Sequence, residues 1–152
     1  MATVTRNQPS KLAISVLNPV MRWLLRRGKG PTSHMMLISW NGRKSGRAYS
    51  TPVSRFELDE RLVTTTASPW KANFVGGHPV DVIVDGRLRS MRGTVIDDPA
   101  HVGETQRRII DDLGDAAQRA MAIRYDTPPS ADELAALASS EGIVLIEFTS
   151  GD

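Results

Sequence analysis

Residues 41–47 read Asn-Gly-Arg-Lys-Ser-Gly-Arg, three cations and a hydroxyl gathered around two glycines. The chemistry such a set suits is the holding of an anion. Arg43, Lys44 and Arg47 bring positive charge and Ser45 a hydroxyl donor, while Gly42 and Gly46 let the backbone turn tightly and approach a phosphate. The competing reading of the same residues is a charged hairpin tip that serves solubility. A P-loop is excluded, because the GxxxxGK spacing is missing. Ser39 and Ser45 have no histidine and aspartate at recognisable spacing, so a hydrolase triad is not expected. The chain has no cysteine, hence no thiol nucleophile, thiolate metal site or disulfide. His34, His78 and His101 are too dispersed for metal-ligand spacing, and no metal is expected.

The charge distribution bears on the choice. The first 56 residues hold ten Lys and Arg and no Asp or Glu, whereas the rest holds nine basic and seventeen acidic residues, although the chain as a whole carries only +2. A field so divided draws a polyanionic ligand or an anionic membrane toward one end. A nucleic-acid partner is not expected, because the basic residues are not interleaved with an aromatic stacking surface. The apolar run over 12–25 is broken by Ser15, Asn18, Pro19 and Arg22, so it is expected neither to span a membrane nor to act as a secretory signal, and a cytoplasmic protein is expected.

The elements that must position the turn can be read from local signals. Asn18-Pro19, Ser68-Pro69 and Asp98-Pro99 each set a capping side chain before a proline, and Ser130 with Glu133 forms a capping box. These predict helices over 19–28, 69–75, 99–112 and 131–140, with a helical turn over 10–17 and further helix within 115–125. Strands are expected over 35–40, 48–56, 61–67, 80–86, 87–96 and 143–149 from β-branched content and alternation, with reversals at Asn41-Gly42 and Asp85-Gly86. At 152 residues the length fits one domain. About six antiparallel strands with both faces to cover imply an α+β protein, a small barrel whose ends are plugged by helices.

The order LISWNGRKSGRAYSTPV, a strand pair, and then SPWKANFVGGHPVDVIVDG resembles the LxTxGRKSGxxRxxPL and WxxNLxxxP pattern of the deazaflavin-dependent nitroreductase family, within the flavin/deazaflavin split-barrel oxidoreductases. The likeness covers about 20–97 and, more loosely, the final strand. It implies a split β-barrel that binds coenzyme F-420, whose tail carries a phosphodiester and several glutamates. By position, Arg43, Lys44, Ser45 and Gly46 inherit the grip on the tail phosphate, and Pro52 completes the motif. Thr66 and Ser68 fall where the family presents donors to the ring edge, and Trp70, Lys71 and Asn73 match the element beside the ring. The family's arginine after the second glycine is Tyr49 here, with Arg47 as the neighbour able to compensate. The tyrosine-rich acceptor stretch is represented only by Tyr125, the one catalytic candidate. Read from the residues alone, Trp70 serves equally as a core anchor and Asn73 as a loop brace.

The resemblance implies an F-420H2-dependent oxidoreductase that transfers hydride to a hydrophobic acceptor such as a quinone, an enone or a nitroaromatic. Its alternatives are a non-catalytic carrier of the cofactor or of a fatty acid, or a relative that binds FMN or haem. The expected organisation is an amino-terminal amphipathic helical segment, 1–30, followed by a split-barrel cofactor domain, 31–152, as a monomer or homodimer. Val20, Met21, Trp23, Leu24 and Leu25 interleaved with Arg22, Arg26, Arg27 and Lys29 have the composition of an interfacial helix, fitted either to cap the barrel or to rest on the inner face of a membrane.

Overall fold

A computed structural model describes residues 4–6, 11–29 and 34–151. Seven strands form one antiparallel sheet: β2 (Met35–Asn41), β3 (Ala48–Ser54), β4 (Phe56–Leu58), β5 (Arg61–Thr66), β6 (His78–Val84), β7 (Arg87–Ile96) and β9 (Val144–Ser150), in the order β3-β2-β6-β7-β9-β5-β4. The two edge strands, β3 and β4, are separated in the chain by Arg55 alone. Since consecutive Cα atoms are about 3.8 Å apart, the sheet has to curl until its edges meet, and β3 indeed approaches β5. The fold is α+β, an antiparallel split β-barrel with flanking helices.

Alternation along the strands fills the interior. Met36, Ile38 and Trp40 of β2, Val80, Val82 and Val84 of β6, and Ile146 and Phe148 of β9 point into one buried cluster with Val53, Leu62 and Phe74. Leu37 is equally buried but faces the other way, register-opposite Ile83 on the outer side, where α1 (Lys11–Arg26) packs on β2, β3 and β6. Burial on both faces accounts for the unbroken apolar run MMLI at its start. The outer face of β5 and β9 contributes Val63 and Leu145 to a second core with Val102 of α2 (Pro99–Leu113) and Ala138 of α4 (Ala131–Glu141). These two helices lie so close that a Cβ on Gly103 would collide with the backbone of Ala131 and Ala135.

Several elements differ from the sequence expectation. The helix expected to start at Pro19 instead runs through it from Lys11; position 10 of the expected preceding turn lies outside the described residues. The hydrogen bond forfeited at an internal proline is offset by the packing of the helix on the sheet, with Leu25 fully buried. The strand expected over 48–56 breaks at Arg55, because Val53 serves the barrel interior whereas Phe56 and Leu58 serve a third core with Ile109, Met121 and Leu134. Helix within 115–125 is confined to α3 (Ala116–Met121), which ends on left-handed Ala122; Ile123–Tyr125 then forms β8, paired antiparallel with β1 (Val4–Arg6). The buried-exposed-buried alternation of Ile123, Arg124 and Tyr125 is the signal that sets this segment apart from a helix.

The Ser130–Glu133 capping box forms reciprocally at 3.1 Å each way. The Asp85-Gly86 reversal joins β6 to β7 with both residues at positive φ, 52° and 77°. No helix among the described residues is long and apolar enough to cross a membrane.

Candidate cofactor-binding site

One end of the barrel is closed by a short 3-10 helix spanning Pro69–Phe74. Its Phe74 inserts so tightly that a Cβ on Gly93 of β7 would lie 2.9 Å from the ring. Trp40, at the last inward position of β2, is 6 % exposed and collects the other rings. It stacks on Tyr49, its register partner on β3, with centroids 5.8 Å apart, and meets Trp70 at 5.2 Å and Phe74 edge-on at 5.4 Å. Phe74 in turn meets His78 edge-on at 5.9 Å. Each such pair contributes about 0.5–1.5 kcal/mol beyond area burial, so the rings make this end of the barrel a rigid floor. Nε1 of Trp40 is buried with no hydrogen-bond partner among the described residues.

The basic turn stands beside that floor. Gly42 N–H donates to Arg47 O at 2.8 Å and Gly46 N–H to Gly42 O at 2.9 Å, so the segment closes on itself between β2 and β3. Gly46 is at φ 70°, a conformation that favours glycine, and a Cβ there would meet nothing within 4 Å. The turn is also pinned from outside. Arg43 N–H donates to Asn73 Oδ1 at 3.1 Å, and the Arg43 guanidinium donates to Gly77 O at 2.6 Å. His78 Nε2 donates to Asn41 O at 2.7 Å, which fixes its proton on that nitrogen, since a carbonyl can only accept. Ser45 Oγ accepts from Arg47 N–H at 3.2 Å and lies 3.4 Å from Tyr49 Oη. Lys44 and Arg47 are exposed, and neither side chain has a hydrogen bond or ion pair among the described residues.

Burial and bonding thus divide the residues singled out from the sequence. Arg43, Lys44, Ser45, Gly46, Arg47, Tyr49, Trp70 and Asn73 come together at this barrel end. Within that group Arg43 and Asn73 brace the turn, Asn73 also donating to Trp70 O at 2.9 Å, and Lys44 and Arg47 are left to face solvent. Thr66 and Ser68 lead into the plug, where Thr66 Oγ1 accepts from Ser68 N–H at 3.0 Å. Lys71 turns the other way, its Nζ donating to Gly142 O at 2.5 Å behind α4. Pro52 is a mid-strand residue, register-opposite Leu37 on an edge strand, where its missing N–H removes no ladder bond.

Tyr125 is remote from all of these. It is 5 % exposed in the core formed by α2, α3 and β4, and its hydroxyl donates to Gly114 O at 3.4 Å. Burial, with Asp115 adding to it and Arg107 opposing, raises this phenol above its ordinary pKa. Sequence reasoning missed Trp40, Phe74, His78 and Arg92, whose guanidinium donates to Gly76 O at 3.4 Å. Trp40 was accessible from the period-two pattern of β2, whereas nothing local marks the other three. Among the described residues no group of His, Asp or Glu is arranged to hold a metal ion.

No family model matches this chain, and no curated protein does. Among solved structures it is similar to a conserved hypothetical protein from Mycobacterium tuberculosis, with 12 % identity over 97 % of this chain and 87 % of that one at a TM-score of 0.49. It is similar to an F-420 reductase, with 18 % identity over 86 % and 93 % of the two chains at 0.46. A FAD- and heme-binding protein from Mycobacterium smegmatis has 15 % identity over 97 % and 69 % at 0.46. All three scores fall below 0.5, so the strand order and register carry the description of the fold.

Proposed function

We propose that this chain is an F-420-dependent oxidoreductase that uses the reduced deazaflavin on a hydrophobic, electron-poor acceptor such as a quinone, an enone or a nitroaromatic. The observation that carries the reading is the state of the GRKSG turn. It is closed by its own backbone bonds and braced by Arg43 onto Asn73 and Gly77, with the Lys44 and Arg47 side chains unpaired among the described residues, beside an aromatic floor. A turn serving solubility needs no such bracing. A preorganised anion grip does, because donors fixed in advance lose less freedom on binding. The likeness of LISWNGRKSGRAYSTPV and SPWKANFVGGHPVDVIVDG to the deazaflavin-dependent nitroreductase pattern points the same way.

The residues present fit the cofactor. Lys44, Arg47 and the open side of Gly46 suit a tail phosphate, and the acid-free first 56 residues suit a polyglutamate tail. Trp70 and Tyr49, held against Trp40, offer apolar faces to a planar ring and exclude water from it. When bound, the cofactor supplies the hydride chemistry. The chain binds it, orients it and keeps the pocket dry, and no side-chain acid or base is needed for the transfer.

A second reading, a carrier without turnover, draws on the position of Tyr125, the only counterpart of the acceptor-site tyrosines, which is packed in a core away from the turn. Titration of F-420 followed by tryptophan quenching, then steady-state oxidation of F-420H2 with a panel of quinones, enones and nitroaromatics, tests both. Saturable binding with turnover supports the oxidoreductase, and saturable binding with no turnover on any acceptor supports the carrier. A preference for FMN, FAD or haem in parallel absorbance titrations would overturn the choice of cofactor.

A further inference from the structure

The carboxy-terminal half of α1 does not bury the residues that its composition would assign to a core. Val20 and Trp23, one helical turn apart, are each 54 % exposed, although Leu25 on the opposite side is fully buried. Trp23 is flanked by Arg22 and Arg26, also one turn apart, and the Arg27 guanidinium lies over its ring at 4.7 Å. Pro19, Arg22, Trp23, Arg26, Arg27 and Ser50 line a groove of about 660 Å³ between the helix and β3. The Arg22 guanidinium donates to Ser50 O there at 3.4 Å. No acidic residue precedes Glu57 in the chain.

The pattern continues beyond the helix. A Cβ on Gly28 would stand 3.1 Å from Gly86 Cα, which fixes the end of α1 against the β6–β7 reversal. Two residues past Gly86, Leu88 is 64 % exposed between exposed Arg87 and Arg89. It is register-opposite Ile83, itself opposite Leu37, and so belongs to the outer sheet face that α1 covers. The nearby acids are engaged, Asp85 with Arg55 at 3.0 Å and Asp81 with Ser90 Oγ at 3.3 Å.

We propose that this face seats the protein on an anionic lipid surface, with Val20, Trp23 and Leu88 entering the headgroup boundary and Arg22, Arg26 and Arg27 taking lipid phosphates. An exposed tryptophan with its polar edge at an interface and its body in acyl chains, ringed by arginines, is the arrangement such a surface recognises. The charge decides against an apolar protein partner as occupant, because four cations, Arg22 and Arg26 at the end of the helix and Arg27 and Lys29 just past it, crowd together with no acidic residue among them.

The test is co-sedimentation with phosphatidylcholine vesicles with and without about 30 % phosphatidylglycerol, at low and high salt. Binding should require the anionic lipid and weaken with salt. The double variant R26Q/R27Q should lower the partition coefficient about fivefold per charge removed, and Trp23→Ala should lower it further. Arg119→Gln, on α3, should change nothing. Brominated lipid should quench a component of the emission that is absent in Trp23→Phe. Failure of the wild type to bind anionic vesicles, or equal binding by all variants, overturns the proposal. So does a dimer in solution that Trp23→Ala dissociates, which would assign the face to a second copy.

Discussion

Arg43 is held by Asn73: its backbone N–H donates to the asparagine side chain at 3.1 Å, tying the basic turn to the helix that plugs the barrel. The same asparagine donates to Trp70 O at 2.9 Å, so one side chain sets both the turn and the ring beside it. Asn73→Ala should therefore weaken F-420 binding by about 0.5–1.5 kcal/mol, the worth of one neutral hydrogen bond. The exposed turn can bond to water instead, so the melting temperature should stay nearly constant. Calorimetric titration beside thermal unfolding checks this, and unchanged affinity would detach the brace from binding.

The three cations of the turn should separate. Arg43 donates to Gly77 O at 2.6 Å, so Arg43→Ala should cost both affinity and stability, the latter by about 1.5 kcal/mol. Lys44→Ala and Arg47→Ala should leave stability within about 0.5 kcal/mol and each raise the Kd roughly tenfold, with a shallower salt dependence. Affinity unchanged in the Lys44/Arg47 double variant would return the turn to a solubility role.

Gly93→Ala should dislodge the plug. The new methyl would meet the Phe74 ring at 2.9 Å and Ile146 Cγ2 at 3.3 Å in a filled interior, and overpacking of this kind costs about 1–3 kcal/mol. A melting temperature lower by about 3–10 °C is expected for a chain of this size. The near-ultraviolet circular dichroism of the Trp40, Trp70 and Phe74 cluster should change with it. An unaltered aromatic spectrum would mean that the plug does not rest on this contact.

Tyr125→Phe should retain cofactor binding and any turnover, because the phenol lies in a separate core. Its folded-state pKa is raised above the unfolded value near 10, chiefly by burial. The folded state therefore prefers the neutral phenol, and the resulting stability is fully present below about pH 10 and lost as pH rises through the folded pKa. The wild type should accordingly lose stability relative to the phenylalanine variant only in strongly alkaline solution. Absorbance titration of phenolate in the two proteins, with denaturation curves at matched pH, measures it. A turnover defect in the variant at neutral pH would place Tyr125 in the chemistry after all.

Much of this arrangement was legible in the sequence where the signal is local. The capping box at Ser130, the Asp85-Gly86 reversal and the alternation of β2 and β6 act over a few residues, and each appears where local chemistry puts it. The basic turn was visible as a set of residue types, but not its division of labour, since the partners of Arg43 are thirty and thirty-four residues away. Pro19 was misleading for a related reason, because packing of α1 on the sheet outweighs one missing hydrogen bond. The break at Arg55 is dictated by two different cores competing for Val53 and Phe56, a choice made by the whole chain. Trp23 and Val20 show the limit most plainly: their composition fitted a buried cap as well as a surface, and only their exposure separates the two.

The place of β9 in the sheet has a consequence for biosynthesis. Val144–Ser150 lies between β7 and β5 and is the last strand of the sheet to emerge from the ribosome. Until it arrives, two partial sheets present unpaired flanks, a period in which nascent chains are prone to associate with one another. The ring is therefore completed only after Val144–Ser150 has been made, and a messenger that stops before codon 144 would yield a product open along its length.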